Sequence, residues 1–92
     1  MIGHKTDEPL RRAFKNVCER WGVDDLDDRY MGLTIGISLG LGQLFNNSKE
    51  AEVAWMRAPR EELGHLSPLE YMQKHRNPGP VADILDRARG LR

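Results

Sequence analysis

The sequence lacks the features that define several classes of protein. Its 92 residues include one cysteine, which excludes an internal disulfide and a cysteine-rich zinc site. Fourteen basic and 14 acidic side chains cancel, which argues against a strongly basic nucleic-acid-binding protein. No apolar run approaches the roughly 18 residues of a membrane span, and the N-terminal segment has no apolar core of a signal peptide. These absences predict a small cytoplasmic domain whose cysteine stays reduced and which does not contact a membrane. Residues 1–92 are sufficient for one hydrophobic core only.

What the sequence does contain is helical periodicity. Thr6 is placed to cap a first helix with Pro9 in its first turn, where acidic residues and proline are favoured. Gly22 is a suitable residue for the end of this helix. Apolar residues spaced three and four apart predict one buried stripe, made of Leu10, Ala13, Phe14, Val17, Cys18 and Trp21. In the acidic stretch that follows, Leu26 and Tyr30 are expected to point inward.

The glycine-rich segment 32–45 allows two interpretations. Its strict alternation of apolar and small residues is typical of a strand, but the chain offers no second strand for it to pair with. We therefore predict a helix, in which Gly32, Gly36 and Gly40 line up along one groove. Such a groove either packs against another helix of the same chain or forms the seam of a homodimer.

The rest of the chain predicts short capped helices. Residues 49–57 follow a cap cluster at 46–48, and Ser67 to Glu70 form a capping box with proline at the first helical position. A last amphipathic helix begins near Val81 and ends before Gly90. The prediction is a compact all-α bundle of five or six short helices.

No set of catalytic residues stands out. The three histidines lack metal-ligand spacing, and Cys18 lies on the apolar stripe, where an inert buried thiol is expected. We therefore predict that the chain is not an enzyme and needs no metal or cofactor. The first helix does carry a basic face, made of Arg11, Arg12, Lys15 and Arg20. However, the helix that follows is too apolar to enter a DNA groove, so DNA binding is doubtful.

The C-terminal half carries an ordered set of motifs. Ala54-Trp55-Met56-x-x-Pro59 is followed by Leu63-Gly64-x-x-Ser67-Pro68-Leu69-Glu70-Tyr71-Met72, and then by Val81-x-x-Ile84-Leu85-x-Arg87-x-x-Gly90. Over about residues 33–91 this set resembles the toxin-binding domain of the MbcA/ParS/Xre antitoxins. The resemblance implies a type II antitoxin that binds a RES-domain toxin, an enzyme that consumes or transfers from NAD, and occludes its active-site cleft.

Members of that family usually carry a helix-turn-helix ahead of this domain, and here only Val23–Met31 separate the first two helices. We therefore divide the chain into an N-terminal helical segment, 1–31, and a toxin-binding region, 33–92. A basic tail could enter the toxin's cleft with apolar anchors beside it. The candidate toxin-binding residues are Leu69, Tyr71, Met72, Arg87, Arg89, Leu91 and Arg92.

Alternatives stay open at this point. Met72 could be a core residue, and the arginines could only complement the dipole of the last helix. As a whole, the chain could also be a DNA-binding transcriptional regulator or a homo-oligomeric interaction module.

Overall fold

A computed structural model describes the backbone of residues 3–24 and 26–90, and the side chains within these ranges from residue 8 onward. Within them the chain is all-α, as predicted, with five α-helices and two short 3-10 turns. The helices are α1 (Gly3–Trp21), α2 (Met31–Leu44), α3 (Lys49–Arg57), α4 (Pro68–His75) and α5 (Gly79–Ala88); the 3-10 turns are Asp28–Tyr30 and Glu61–Leu63. Over these ranges no helix combines the length and the apolar character needed to cross a membrane.

The first helix ends as predicted but begins earlier. Gly22 adopts a left-handed φ of +75°. Its N–H donates to the Glu19 carbonyl, and the Val23 N–H donates to the Cys18 carbonyl at 2.9 Å, which together close a Schellman motif. The predicted start was wrong: α1 begins at Gly3, so Thr6 is not its N-cap and Pro9 lies inside the helix. Thr, Asp and Glu are tolerated within helices as well as at their ends, so the residue types alone did not fix the boundary.

The apolar stripe of α1 is buried only over its C-terminal half. Val17, Cys18 and Trp21 are at most 8% exposed, whereas Leu10 is 40% exposed. Residues 8–12 of α1 lie at the surface. In the following loop, Leu26 packs against the core as predicted, but Tyr30 is 37% exposed, contrary to prediction. The guanidinium of Arg29 lies 5.7 Å from the centroid of the Tyr30 ring, so the ring has a cation as its neighbour at the surface.

The glycine-rich segment is a helix, α2, and the strand alternative is wrong. Its buried arc includes Thr34, Ile37 and Leu41. The predicted glycine groove is divided: a Cβ at Gly40 would lie 2.9 Å from Leu85 of α5, whereas Cβ atoms at Gly32 and Gly36 would meet nothing within 4 Å. Intramolecular packing thus uses one glycine of the three.

The C-terminal helices have the caps that the sequence predicts. Ser48 accepts a hydrogen bond from the Ala51 N–H at the start of α3. Ser67 and Glu70 form a complete capping box at the start of α4, with hydrogen bonds of 2.9 and 3.1 Å. Gly64 and Gly90 both adopt left-handed backbone conformations, which favour glycine. Because these local signals agree with the fold, the boundaries of α3 and α4 follow closely from the sequence. α5 begins at Gly79, earlier than the predicted start near Val81, because proline is tolerated in the first turn of a helix.

α2 occupies the middle of the bundle and packs against α1, α3 and α5, while α4 packs against α3 and α5. One hydrophobic core joins all five helices. Its buried members are Val17, Trp21, Ile37, Leu41, Trp55, Met56, Leu63, Leu69, Met72, Val81, Ile84 and Leu85.

A buried ion pair fixes α1 to α3. The Glu52 side chain is 1% exposed. Arg20 donates to both of its carboxylate oxygens, at 2.8 and 3.0 Å, and also to the Asn47 carbonyl at 3.2 Å. This bidentate hydrogen bonding keeps the guanidinium charged and raises the pKa of Arg20. The assignment of Arg20 to a solvent-facing basic face was therefore wrong, because its partner comes from 32 residues away.

Removing Arg20 should strongly destabilise the fold, because it leaves a buried carboxylate without a counter-charge. We expect Arg20→Met to lower the free energy of unfolding by about 2–3 kcal/mol. This loss is smaller than for a fully buried ion pair, because the Arg20 side chain is 32% exposed. Arg11→Met is the control, since Arg11 lies 3.9 Å from Asp28 in an exposed pair that should contribute less than about 1 kcal/mol. Urea denaturation measures the free energy of unfolding of both variants. Equal losses in Arg20→Met and Arg11→Met would contradict the structural role of the Arg20–Glu52 pair. The double variant Arg20→Met/Glu52→Leu should recover most of the loss.

The capping box of α4 should make stability depend on pH. Hydrogen bonds from Ser67 lower the pKa of Glu70 below its ordinary value of 4.5. The ionised carboxylate therefore stabilises the fold above about pH 4.5, and this contribution is lost as pH falls through the lowered pKa. Between pH 7 and pH 3, the free energy of unfolding of Glu70→Gln should fall less than that of the wild type. At pH 7, Ser67→Ala should lower the free energy of unfolding by about 1 kcal/mol. An unchanged pH dependence in Glu70→Gln would refute this role.

Candidate functional site

The structure separates the seven candidate binding residues into three groups. Leu69 and Met72 are each 3% exposed and belong to the hydrophobic core, so they offer almost no surface to a partner. Tyr71, Arg87 and Arg89 reach the surface to different extents. Leu91 and Arg92 lie outside the described residues. The alternative that Met72 is a core residue is the one the structure supports.

Tyr71 lies on the outer side of α4. Its ring is half-buried against the core, and its centroid is 4.4 Å from that of His75, one turn later. The two rings are tilted by 34° and form one aromatic surface near the C-terminal end of α4. Such a pair can supply a flat contact area with a polar edge.

The C-terminal end of α5 presents the two described arginines of the set. Val81, Ile84 and Leu85 point into the core and fix the helix in place. Arg87 is exposed, whereas Arg89 is half-buried against α2, with its guanidinium donating to the Gln43 side-chain oxygen. The Gly90 N–H donates to the Arg87 carbonyl at 3.1 Å, which ends the helix. Arg89 is thus positioned by α2, whereas Arg87 faces solvent.

An open groove of about 200 Å³ lies between α2 and α5. It extends from Gly36 on α2 to Arg89, so the basic end of α5 forms one of its walls. Its lining is mainly apolar and consists of Leu33, Gly36, Ile37, Ala82, Leu85, Asp86 and Arg89. Arg89 therefore lies beside an apolar depression, which is a suitable arrangement for protein contact.

The motif residues that carry the family resemblance are mostly structural. Trp55 is 9% exposed and lies under the guanidinium of Arg60, 4.5 Å from the ring centroid. Ser67 and Glu70 cap α4, and Leu69 packs in the core. Their capping and core contacts hold α4 in place in the bundle.

The basic face of α1 is partly committed to other elements. Arg20 is paired with Glu52, and Arg11 lies 3.9 Å from Asp28. Arg57, from α3, donates to the Trp21 carbonyl at the end of α1. A groove-binding surface needs several cations that can reach phosphate, so these pairings weaken the DNA-binding alternative.

Among the described residues, no three His, Cys, Asp or Glu side chains are grouped so that they could hold a metal ion. Cys18 is buried, and this burial, with the charges of Asp24 and Glu19 nearby, raises the pKa of its thiol. A raised pKa leaves little of the reactive thiolate at neutral pH.

Cys18 should therefore react slowly in the native protein. At pH 8 we expect its reaction with a disulfide reagent such as DTNB to be at least about tenfold slower than in urea-unfolded chain. The release of the coloured thiolate measures both rates. A native rate equal to the unfolded rate would show that the thiol is exposed.

Sequence reasoning missed two features that matter for function. Glu52 occupies an inward-facing position on α3, one turn before Trp55 and Met56, and a buried acid at such a position requires a buried cation. That signal was present in the sequence, but its partner depends on the tertiary fold. Leu39, which the sequence reasoning did not single out in the predicted helix, is 66% exposed and faces outward.

Comparison with known families places these features in context. Residues 41–90 match the family described as the antitoxin Xre/MbcA/ParS C-terminal toxin-binding domain. The match includes α3, α4 and α5, and therefore the arginine-bearing end of α5. No curated protein and no solved structure matches the chain. An antitoxin domain indicates a regulatory role and implies a toxin as partner. The chain belongs to the Xre/MbcA/ParS antitoxin family, by its C-terminal toxin-binding domain.

Proposed function

We propose that this chain is a type II antitoxin that inhibits a RES-domain toxin in the cytoplasm by occupying the cleft in which the toxin binds NAD. The observation that carries the proposal is the family match over residues 41–90, which ends at the basic end of α5. An inhibitor of this kind needs complementary shape and charge but no catalytic group. Its inhibitory element is the end of α5 together with the residues that follow it.

The position of Arg87 and Arg89 supports this role. A guanidinium binds a carboxylate with two parallel hydrogen bonds, so these arginines suit a cleft whose catalytic machinery includes acidic residues. Arg89 is already oriented by Gln43, which reduces the entropy lost when it binds. Arg87 is exposed and has the freedom to reach a partner.

The apolar surroundings support the same assignment. The groove between α2 and α5 provides a depression beside Arg89, and Tyr71 provides an aromatic surface on α4. Arginine and tyrosine are among the residues that contribute most to protein interfaces. Leu69 and Met72 act indirectly, by holding α4 against the core. Leu91 and Arg92 remain members of the proposed inhibitory tail.

The first experiment is co-expression of the chain with the product of the adjacent reading frame, followed by affinity purification and an assay of NAD consumption. We expect a RES-domain protein to copurify and NAD loss to be suppressed. Failure of any such protein to copurify, with NAD loss continuing, would contradict the proposal.

The inhibitory element can be tested by charge reversal. We expect Arg87→Glu to weaken inhibition by about tenfold or more, because it replaces a charge-assisted contact by repulsion. Arg12→Glu is the matched control, since Arg12 is also an exposed arginine, on α1, and it should inhibit like the wild type. Titration of the antitoxin against the toxin's NAD consumption gives both values.

Removal of Gly90, Leu91 and Arg92 should also weaken inhibition while the helical circular dichroism and the melting temperature stay close to those of the wild type. The core residues of α5 all precede the cut. Full inhibition by this truncated chain would refute the role of the tail.

A further inference from the structure

The groove between α2 and α5 has the size and the lining of a pocket for one apolar side chain, and we call it the α2/α5 groove. Ile37 and Leu85 are each 2% exposed and form its floor, while the more exposed Leu33 and Ala82 form part of its walls. Its volume is about 200 Å³. An apolar cavity of about 150 Å³ holds a benzene molecule, so the groove has room for a side chain of the size of leucine or phenylalanine.

Gly36 keeps the groove open. A Cβ at Gly36 would meet nothing within 4 Å, whereas a Cβ at Gly40, one turn later, would lie 2.9 Å from the Leu85 side chain. α5 therefore approaches α2 closely at Gly40 and leaves space beside Gly36. A larger residue at position 36 would be compatible with the fold of the single chain, and it would occupy part of the groove.

Leu33 brings exposed apolar surface to the groove. It is 42% exposed, and it lies three residues before Gly36, on the same side of α2. Leu39 is 66% exposed, but it is not among the residues that line the groove. An apolar side chain seated in the groove would cover Leu33, and the removal of apolar surface from water favours association.

Arg89 gives one end of the groove a positive charge. Its guanidinium donates to the Gln43 side-chain oxygen, and because this partner is neutral, the hydrogen bond orients the guanidinium without cancelling its charge. A guanidinium oriented in this way can bind a carboxylate through two parallel hydrogen bonds. Asp86 lines the groove one turn before Arg89, and it repels a carboxylate placed over that turn. The acidic group of a partner is therefore expected at the Arg89 end.

The groove is continuous with the toxin-binding domain. Its α5 side, residues 82–89, lies within the match to that domain, which covers residues 41–90. Its α2 side, residues 33–37, precedes the match. The toxin is therefore the partner to which we assign the groove.

We propose that the α2/α5 groove receives a segment of the toxin in which an apolar side chain stands next to an aspartate or a glutamate. The apolar side chain lies beside Gly36 and covers Leu33, and the carboxylate binds Arg89. The proposal rests on the proposed function, because it names the toxin-side chemistry that the same surface recognises. It also gives α2 a direct part in binding.

Filling the groove tests the proposal. Gly36→Gln places an uncharged side chain in the groove. Gly32→Gln is the matched control, because Gly32 is also an exposed glycine of α2 with open space at its Cβ position, but it does not line the groove. Both variants should melt at or above the wild-type temperature, because glutamine has a higher helix propensity than glycine. In calorimetric titrations with the purified toxin of the adjacent reading frame, Gly36→Gln should bind at least about tenfold more weakly than Gly32→Gln.

Two leucines of α2 give a second matched comparison. Leu33→Ser should weaken toxin binding, because it removes an apolar wall of the groove. Leu39→Ser changes a more exposed leucine outside the groove, and it should bind like the wild type. Equal affinities of these two variants would contradict a contact at Leu33.

The acidic group on the toxin can be identified by cross-linking. In Arg89→Lys, the new amine should form an amide bond with the neighbouring toxin carboxylate when a water-soluble carbodiimide activates that carboxylate. Arg12→Lys places an exposed amine on α1 as the control, and it should not form this link. Mass spectrometry of the linked peptide should find an aspartate or a glutamate with an apolar residue beside it. A linked acid without an apolar neighbour, or no link from residue 89 to the toxin, would overturn the proposal.

The outcomes separate this proposal from the proposed function. If the wild type binds the toxin and Gly36→Gln binds it as tightly as Gly32→Gln, the role of the groove is overturned and the proposed function stands. If the wild type binds no toxin, both are overturned.

Discussion

The fold depends on one buried ion pair, because Glu52 can be buried only if a cation accompanies it. Arg20 supplies that cation from the last turn of α1 and binds both carboxylate oxygens, at 2.8 and 3.0 Å. Arg57 reinforces the junction from the other side by donating to the Trp21 carbonyl. These contacts fix the end of α1 against α3, and Val17 and Trp21 complete the core from the same helix. α1 precedes the matched family domain in the sequence, yet its residues Val17 and Trp21 are part of the same hydrophobic core.

From this junction the functional surfaces follow in order. α1 and α3 hold α2 in the middle of the bundle, and α2 provides the glycine at which α5 makes its close approach. The position of α5 in turn determines where Arg87 and Arg89 are presented. The central helix therefore positions the charged surface that we assign to the toxin.

Local chemistry explains which parts of this fold could be predicted from the sequence. Caps and left-handed glycines act within a few residues, so the capping box at Ser67 and the end of α1 at Gly22 were predicted correctly. The helical conformation of α2 followed from the lack of a partner strand. The pairing of Arg20 with Glu52 could not be predicted, because it joins residues far apart in sequence and depends on how α1 crosses α3. The candidate site was predicted in part for the same reason: residue type indicates that Met72 and Arg87 can bind, but only packing shows that the first is buried and the second exposed.

The most direct test of the central claim is amide hydrogen exchange of the chain alone and in complex with its toxin. The account predicts that binding slows exchange at the C-terminal end of α5 and in the α2 residues that line the adjacent groove, while exchange in the N-terminal half of α1 is unchanged. Protection confined to α1, with none at the end of α5, would contradict it. Such a result would show that the toxin binds a surface outside the matched family domain.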